Sequence, residues 1–315
     1  MALYAAGFNA WNQLQFENPP VEEPDDIPSF TCLLHNDAID HVRPFFSYTL
    51  VHSKNGQVQS AGMVPKDHKR LRAANDRAYA SFVEASNGVV VVHDGIETLY
   101  EYPSLQSLLS NKPSRTFPDF PNITQLVAYD TGFAALSSAG RVWTWGDERY
   151  AACFGRDVTD ESPADTPSLV PDLADLPTGP VTKLAAGGYV LAALTAGNDL
   201  YCWGHAGRSR VLADLFSDPD FDADTDRPNP VVIGQDKDVA DIAVGDAHLV
   251  ALTSDGEVYV IGDNRNAQLS LPGMSSAKTW TRISFGTILE TNQSIVTSVA
   301  AGPKNSFLVV RNNSR

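Results

Sequence analysis

The feature that most restricts the fold of this chain is an internal repeat with a spacing of 58 residues. Three segments align with one another without a gap, and each carries a glycine at the same position. Such a repeat indicates that every copy forms the same supersecondary unit and that neighbouring units pack side by side. The segments are 126–153, 184–211 and 242–269, with the shared glycines Gly146, Gly204 and Gly262.

Each copy has the pattern of a set of antiparallel strands. Residues 242–252 are apolar and rich in small side chains, which suits the crowded inner strands of a β-propeller. Ser254-Asp255-Gly256 has the residues of a tight turn, and residues 257–261 alternate as a strand does. A further turn then predicts a short outer strand that ends at Gln268 and Leu269. The copies show no period of 3.6 residues, so they are not helical repeats.

The two ends of the chain together complete one repeat. Residues 295–313 match the first half of a copy, whereas Gly7 to Leu14 match the second half, Gly262 to Leu269. A blade assembled from both termini leaves no open sheet edge, which protects a ring of blades against fraying and aggregation. We therefore predict an all-β fold, a closed β-propeller whose last blade is completed by strands from residues 1–16 and 295–313.

The less regular part of the chain sets the number of blades. Residues 42–105 contain two degenerate blades, because the 84 residues from Gly62 to Gly146 exceed one repeat. This predicts about six four-stranded blades in a single domain of residues 1–315; strands in 32–39 would make seven, and a long insertion would leave five. The regular repeats span 123–155, 181–212 and 239–270. The glycines expected at structural repeat positions are Gly7, Gly62, Gly146, Gly204, Gly262, Gly187, Gly245 and Gly302.

The composition of the chain restricts the kinds of binding partner and the cellular compartment that we expect. The net charge of −15 argues against direct binding to nucleic acid, whose phosphates such a surface repels, and favours basic partners. No apolar run approaches the ~18 residues of a membrane helix, and the first residues do not resemble a signal peptide. Three scattered cysteines do not form a disulfide framework. We expect a monomer in the cytoplasm, the nucleus or both.

The repeat resembles the regulator of chromosome condensation repeat. The segment 244–269 carries the resemblance best, through an Ala-Leu-Thr strand, a turn glycine, Val-Tyr and a final Gly-x-Asn-x-x-x-Gln-Leu, and 185–204 and 130–146 support it. The resemblance implies the propeller fold and a range of roles: guanine-nucleotide exchange on a small GTPase, nucleosome docking, ubiquitin-ligase scaffolding and enzyme inhibition. Members usually have seven blades. In place of the founder's basic N-terminal arm, residues 17–26 here are acidic, and no segment matches its exchange wedge.

Two charged segments are candidate partner-binding loops. An acidic run, Asp218, Asp220, Asp222, Asp224 and Asp226, lacks the glycine and glutamate of an EF-hand at the required positions. Its composition is that of a solvated acidic loop extended by self-repulsion. If the run is functional, it suits the docking of a basic surface, and calcium binding of another kind is the alternative. The basic cluster Lys66, Lys69, Arg70 and Arg72 suits an acidic partner or nuclear import, with a plain exposed loop as the alternative.

No motif promises catalysis, a metal or a cofactor. His248 has no nucleophile at a meaningful spacing, and we expect it to be structural. The aromatic residues Trp143, Trp145, Tyr201, Trp203 and Tyr259 recur at matching repeat positions, so we expect them to pack between blades rather than to stack on bases. The sequence thus predicts a non-enzymatic protein-interaction scaffold that binds one or more proteins through inter-strand loops, of which 156–180 and 214–238 are the longest. The alternative is a guanine-nucleotide exchange factor for a small GTPase; hydrolase or lyase activity in a central channel has the weakest support.

Overall fold

The computed structural model describes residues 1–16, 22–35, 38–73, 82–205, 210–216, 226–285 and 294–312. Their strands form six antiparallel sheets, which we call blades 1 to 6. The chain divides into two compact units of three blades each. Unit 1 comprises the described residues of 1–64, 208–218 and 232–315, and unit 2 those of 65–207 and 219–231.

Unit 1 begins the chain, unit 2 supplies its middle, and unit 1 resumes at the end. The first strands are β1 (Ala2–Gly7), β2 (Ile27–His35), β3 (Ile39–Pro44), β4 (Tyr48–Ser53) and β5 (Val58–Gly62). Unit 2 contains β6 (Phe82–Glu84), β7 (Val90–His93), β8 (Leu99–Tyr102), β9 (Arg115–Phe117), β10 (Ile123–Tyr129), β11 (Gly132–Ser137), β12 (Val142–Gly146), β13 (Ser168–Leu169), β14 (Val181–Gly187), β15 (Val190–Thr195), β16 (Leu200–Gly204) and β17 (Asn229–Val231). The last strands are β18 (Val239–Val244), β19 (His248–Thr253), β20 (Val258–Asp263), β21 (Ser276–Arg282), β22 (Ser294–Gly302) and β23 (Asn305–Asn312).

Blades 1 to 5 take their strands in chain order. Blade 1 is β3 to β5, blade 2 is β6 to β9, blade 3 is β10 to β13, blade 4 is β14 to β17 and blade 5 is β18 to β21. Blade 1 has three strands among the residues described, and each of the other blades has four. Within each unit, successive blades contact one another through one edge strand each. These strands are β6, β10 and β14 in unit 2, and β18, β22 and β3 in unit 1. The fold is thus a β-propeller of six blades, as the sequence predicts.

Helices are few and short. In the part of the chain that the structure describes they are α1 (Lys66–Ala73), α2 (Leu105–Leu109), α3 (Val211–Leu215) and two 3₁₀ helices, Glu148–Phe154 and Pro171–Leu173. None of these helices combines the length and apolar character needed to cross a membrane.

Blade 6 is assembled from both ends of the chain, which confirms the sequence prediction. Its strand order is β2-β1-β23-β22, and β1 pairs antiparallel with β23 from Ala2 opposite Val310 to Gly7 opposite Asn305. The segment considered for a seventh blade does not form one, because Cys32 lies in β2, the outer strand of blade 6.

The prediction of an outer strand ending at Gln268 and Leu269 is wrong. In blade 5 these residues belong to a turn, and the outer strand is β21, which follows it. The side chain of Asn264 builds the turn, because its Oδ1 accepts the backbone N–H of Leu269 at 2.8 Å and its Nδ2 donates to two later carbonyls. Asn9 makes the matching bond to the N–H of Leu14 at 2.9 Å. The recurring Asn and Gln-Leu therefore record a turn stabilised by side-chain bonds to the backbone.

The segments 156–180 and 214–238 are not loops alone, contrary to the sequence prediction. Each contains the outer strand of its blade, β13 in the first and β17 in the second. The first also buries Val170 and Leu173 against the core of blades 3 and 4. Removal of either segment would therefore leave its blade without the outer strand.

Apolar side chains fill the spaces between adjacent blades. Trp145 is fully buried beside Phe117 and Phe133, with ring centroids 6.4 Å and 5.5 Å away. Trp203 is fully buried between blades 3 and 4 and donates its indole N–H to the carbonyl of Cys153 at 3.1 Å. These contacts confirm that the aromatic repeat positions serve packing. The other members are the buried Tyr259 and the half-buried Trp143 and Tyr201.

One repeat position also links successive blades through hydrogen bonds. In blade 3, the amide of Gln125 bonds both backbone groups of Leu184 in blade 4, at 2.7 Å and 2.8 Å. Asp241 of blade 5 occupies the same position, and its Oδ2 accepts the N–H of Val299 in blade 6 at 2.8 Å. The repeat therefore fixes the position of one blade against the next, as well as the pairing of strands within each blade.

Candidate protein-interaction surfaces

The predicted basic cluster lies on helix α1. Lys66, Lys69 and Arg70 are exposed, and Arg70 is 3.7 Å from the carboxylate of Asp67 one turn earlier. His68, on the opposite side, is buried and contacts Glu84 at 3.2 Å. The side chain of Arg72 lies outside the described residues. The helix thus presents part of the cluster to solvent, and its role in partner binding stays a prediction.

The predicted acidic cluster lies almost wholly outside the described residues. Asp218, Asp220, Asp222 and Asp224 are not described, and Asp226 is exposed. The chain beyond it is fixed by Arg227, whose guanidinium is 2.7 Å from Asp157 and 3.6 Å from Asp172. Across the described ranges, no group of three or more His, Cys, Asp or Glu side chains is arranged to hold a metal.

The loop between the 3₁₀ helix Glu148–Phe154 and β13 is organised around a buried arginine. Arg156 is 5% exposed, and its two terminal nitrogens donate to the carbonyls of Ser162, Thr144 and Pro163 at 2.9 to 3.0 Å. The hydroxyl of Ser162 accepts a further bond at 2.8 Å. Because several loop carbonyls share one guanidinium, the loop has a defined shape although it lacks regular secondary structure.

An exposed apolar patch in unit 1 was missed by the sequence interpretation. Trp11, Phe46 and Met63 are 41%, 47% and 61% exposed. With Phe8 and Lys304 they form what we call the Trp11 patch. Large apolar side chains are normally scattered singly over a protein surface, whereas a cluster of them marks an interaction site.

The Trp11 patch stands on turns that are tied together. Gln13 is fully buried; its Oε1 accepts the backbone N–H of Trp11 at 2.9 Å, and its Nε2 donates to the carbonyl of Phe46 at 3.2 Å. The N–H of Met63 donates to the carbonyl of Ser47 at 2.8 Å. The three exposed side chains therefore project from backbone that is already ordered.

Lys304 adds a positive charge to the Trp11 patch. Its Nζ lies 5.5 Å from the ring centroid of Phe8 and 5.9 Å from that of Phe46. The two rings are themselves 5.5 Å apart, and the N–H of Phe8 donates to the carbonyl of Lys304 at 2.9 Å. Such cation–π contacts hold the ammonium close to both rings.

A second aromatic cluster lies in unit 2, where Tyr150, Tyr189 and His205 meet. The two tyrosine rings are stacked with centroids 4.4 Å apart, and the ring of His205 stands nearly perpendicular to both at 6.3 Å. The backbone of Tyr189 is fixed, since its carbonyl accepts the N–H of His205 at 2.9 Å. The pKa of Tyr189 is raised. The largest cause is a hydrogen bond with Tyr150, and burial is the next largest.

His248 is a structural residue and not an exposed base. Its ring is completely buried, and its Nε2 is 3.0 Å from the hydroxyl of Ser306 in blade 6. That hydroxyl donates to the carbonyl of Gln268 at 2.6 Å, so it accepts from Nε2–H. Burial lowers the pKa of His248 from 6.5 to about 4, which keeps the ring neutral at pH 7.

The burial of His248 predicts a loss of stability in mild acid. Because the folded-state pKa is below the unfolded value of 6.5, the unfolded chain binds the proton more tightly, so the stabilisation present above pH 6.5 is lost as the pH falls toward 4. Linkage gives a loss of about 2 kcal/mol at pH 5. Urea unfolding at pH 7 and pH 5 should show this loss, and His248→Gln, which keeps a donor for Ser306 but does not titrate, should lack it. An equal loss in the variant would assign the pH dependence to other groups.

Comparisons with known proteins agree with the repeat and with the propeller fold. Residues 239–268 match the family model described as the regulator of chromosome condensation (RCC1) repeat. Over 139 residues the chain is 32% identical to human E3 ubiquitin-protein ligase HERC2, covering 44% of this chain and 3% of that protein. Over 170 residues it is 29% identical to mouse RCC1-like G exchanging factor-like protein, covering 50% of this chain and 33% of that protein. The matched segment is thus a third or less of either relative.

Solved structures share the fold over the whole chain. Yeast RCC1 (Prp20), in a crystal structure with Kap60, is 13% identical with a TM-score of 0.70, covering 99% of this chain and 89% of that one. A second structure of Prp20p from Saccharomyces cerevisiae, described with its binding properties to Gsp1p and histones, is 14% identical with a TM-score of 0.66, covering 99% and 92%. At these identities the likeness establishes the fold alone.

Proposed function

This chain is a β-propeller of regulator of chromosome condensation repeats, and we propose that it acts as a non-enzymatic scaffold that holds a partner protein on the turns and loops between its strands. The proposal assigns no covalent chemistry to the chain. A fold of this kind hosts several functions, so it is a surface site, and not the family, that indicates binding. The observation that carries it is the Trp11 patch.

The composition of the Trp11 patch matches that of binding hot spots. Tryptophan, phenylalanine and methionine are enriched at protein interfaces, and a few such side chains supply most of the binding energy. The turns beneath them are fixed by Gln13, which is fully buried. Because the supporting backbone is already ordered, a partner pays little conformational entropy for contacts with it.

Removal of the aromatic side chains from the Trp11 patch should abolish partner capture. Truncation of a hot-spot residue costs about 2 kcal/mol or more, a factor of about 30 in affinity, so Trp11→Ala combined with Phe46→Ala should reduce capture from a native lysate to background. The measurement is affinity capture with quantitative mass spectrometry. Because both side chains are exposed, circular dichroism and the melting temperature should stay close to those of the wild type.

The matched control is Ile96→Ala. Ile96 is 72% exposed and lies in the β7–β8 turn of blade 2, which belongs to unit 2. Its truncation removes exposed apolar surface of a similar kind, and it should leave capture unchanged. Undiminished capture by the Trp11 and Phe46 double variant would contradict the proposal, as would equal loss with the control.

The alternative function is guanine-nucleotide exchange on a small GTPase. The similarity to a mouse protein named as a G exchanging factor-like protein favours it. The same capture experiment, repeated with excess GTP, separates the two functions. A small GTPase that elutes with GTP would support exchange and contradict the scaffold, whereas a partner retained in GTP would support the scaffold.

A further inference from the structure

We propose that Asp130, Tyr150 and Tyr189 in unit 2 form a recognition site for an arginine side chain of a partner protein. The inference rests on the proposed scaffold function and adds to it the chemistry of the partner, a basic segment. It draws on residues that do not belong to the Trp11 patch, so the two can be tested separately.

The first element of the site is a carboxylate in a fixed position. Asp130 lies in the turn between β10 and β11; its N–H donates to the carbonyl of Gly188 at 2.8 Å, and its carbonyl accepts the N–H of Asn87 at 3.2 Å. These bonds connect it to blades 4 and 2. Its Oδ1 accepts the hydroxyl of Ser86 at 2.9 Å, and among the described residues no donor to Oδ2 is found.

This carboxylate is poorly solvated for a charged group. Asp130 is half-buried, and burial raises its pKa, an effect that the bond from Ser86 only partly offsets. A carboxylate that has lost water and has one hydroxyl donor gains more from a cation than a fully hydrated carboxylate does. The geometry therefore favours a positively charged ligand at Oδ2.

The second element is the stacked tyrosine pair. Tyr189 directly follows Gly188, the residue bonded to Asp130, and the charge of Asp130 is among the causes that raise the pKa of Tyr189, after the bond with Tyr150 and burial. The carboxylate and the rings are thus neighbours. A guanidinium can lie flat on an aromatic ring while its N–H groups bond a carboxylate in the ring plane.

The chain itself shows this chemistry on the same rings. The guanidinium carbon of Arg149 lies 6.0 Å from the ring centroid of Tyr150, while its Nη2 and Nε bond the carboxylate of Asp147 at 2.6 to 3.1 Å. Arg149 is thereby neutralised by its own partner, so it does not serve Asp130. Tyr189 and Asp130 supply the same two kinds of group, an aromatic ring and a carboxylate, on turns that the bond from Asp130 to Gly188 joins.

Arginine fits this arrangement better than lysine. Its planar fork can bond a carboxylate and stack on tyrosine at the same time, whereas an ammonium is a compact and strongly hydrated charge. The net charge of −15 draws basic segments toward the surface but does not choose between the two residues. Tighter binding of arginine than of lysine therefore distinguishes a specific site from general electrostatic attraction.

The test uses three short peptides that differ in one residue. The probes are Ac-Gly-Arg-Gly-NH₂, its lysine analogue and its citrulline analogue, which keeps the shape of arginine without the charge. Binding is followed by NMR through the ring protons of His205, Tyr150 and Tyr189. The arginine peptide should bind saturably, the lysine peptide at least fivefold more weakly, and the citrulline peptide without measurable saturation.

Two variants and one control locate the site. Asp130→Asn and Tyr189→Leu should each weaken the arginine peptide at least tenfold. Asp160→Asn removes the same charge from an exposed loop of the same unit and should change the affinity less than twofold. If one variant fails to fold, the other still decides the question. Equal binding of the arginine and lysine peptides, or equal loss with the Asp160 control, would overturn the assignment. The two proposals can fail separately. If partner capture does not depend on the Trp11 patch but the arginine peptide still binds, only the role of the Trp11 patch is contradicted.

Discussion

Replacement of Arg156 by methionine is expected to lower the free energy of unfolding by about 3 to 5 kcal/mol, because this one side chain is the donor to several carbonyls of its loop. Arg156 is 5% exposed and donates to the carbonyls of Ser162, Thr144 and Pro163. Methionine fills a similar volume but donates nothing. The three carbonyls then lose a charged donor, at a buried position in Thr144 and at partly buried positions in Ser162 and Pro163. A buried polar group left unsatisfied costs about 1 to 3 kcal/mol.

The measurement is urea unfolding followed by circular dichroism, with two comparison variants. Arg156→Lys keeps the charge but loses the planar fork, so it should be destabilised by an intermediate amount. Arg149→Met removes an exposed arginine whose ion pair is with Asp147, and it should unfold as the wild type does. If Arg156→Met also unfolded within 1 kcal/mol of the wild type, the loop would not depend on its central guanidinium.

The architecture of blades 3 to 6 could be predicted because the repeat constrains backbone geometry directly. A tight turn or a left-handed residue requires glycine, asparagine or aspartate, so the residue type itself records the conformation. The glycines at the end of the third strand of blades 1 and 3 to 6 all have positive φ, which explains why they recur. They are Gly7, Gly62, Gly146, Gly204 and Gly262, with φ of 121°, 84°, 158°, 125° and 113°.

The outer strands could not be predicted for the opposite reason. β13 and β17 contain two and three residues, too few to show an alternating pattern, and they lie in segments rich in aspartate and proline. Their conformation comes from pairing with β12 and β16. Tertiary contacts therefore decide these strands, and the local sequence does not.

The candidate sites depend on which turns lie side by side, which the repeat alone does not reveal. Trp11 occupies the position that Asn266 holds in blade 5, so a large aromatic side chain in place of a polar one was the available signal. That Trp11 belongs to a patch follows only from the neighbouring turn, which carries Phe46 and is bonded to Gln13. The proximity of Asp130 to Tyr189 likewise follows from a backbone bond between blades, which no spacing in the sequence indicates.

Replacement of Gly262 by alanine should destabilise the protein by about 3 to 5 kcal/mol, because strain and steric overlap add at this position. Gly262 has φ of 113°, and a Cβ there would lie 2.4 Å from the carbonyl oxygen of Ala247 and 2.7 Å from the Cα of His248. Both neighbours are backbone atoms of the paired strand β19 and its preceding turn, so neither can move without disturbing the sheet.

Gly256→Ala separates the two contributions, since Gly256 also has positive φ, 88°, but a Cβ there would meet nothing within 4 Å. Alanine at this turn incurs only the strain of the left-handed conformation, about 1 kcal/mol. Urea unfolding of both variants should therefore give a difference of about 2 to 4 kcal/mol that belongs to the overlap with the backbone of blade 5. Equal destabilisation would mean that conformational strain alone selects the repeated glycine, and the close approach of the two strands would then have no part in its recurrence along the chain.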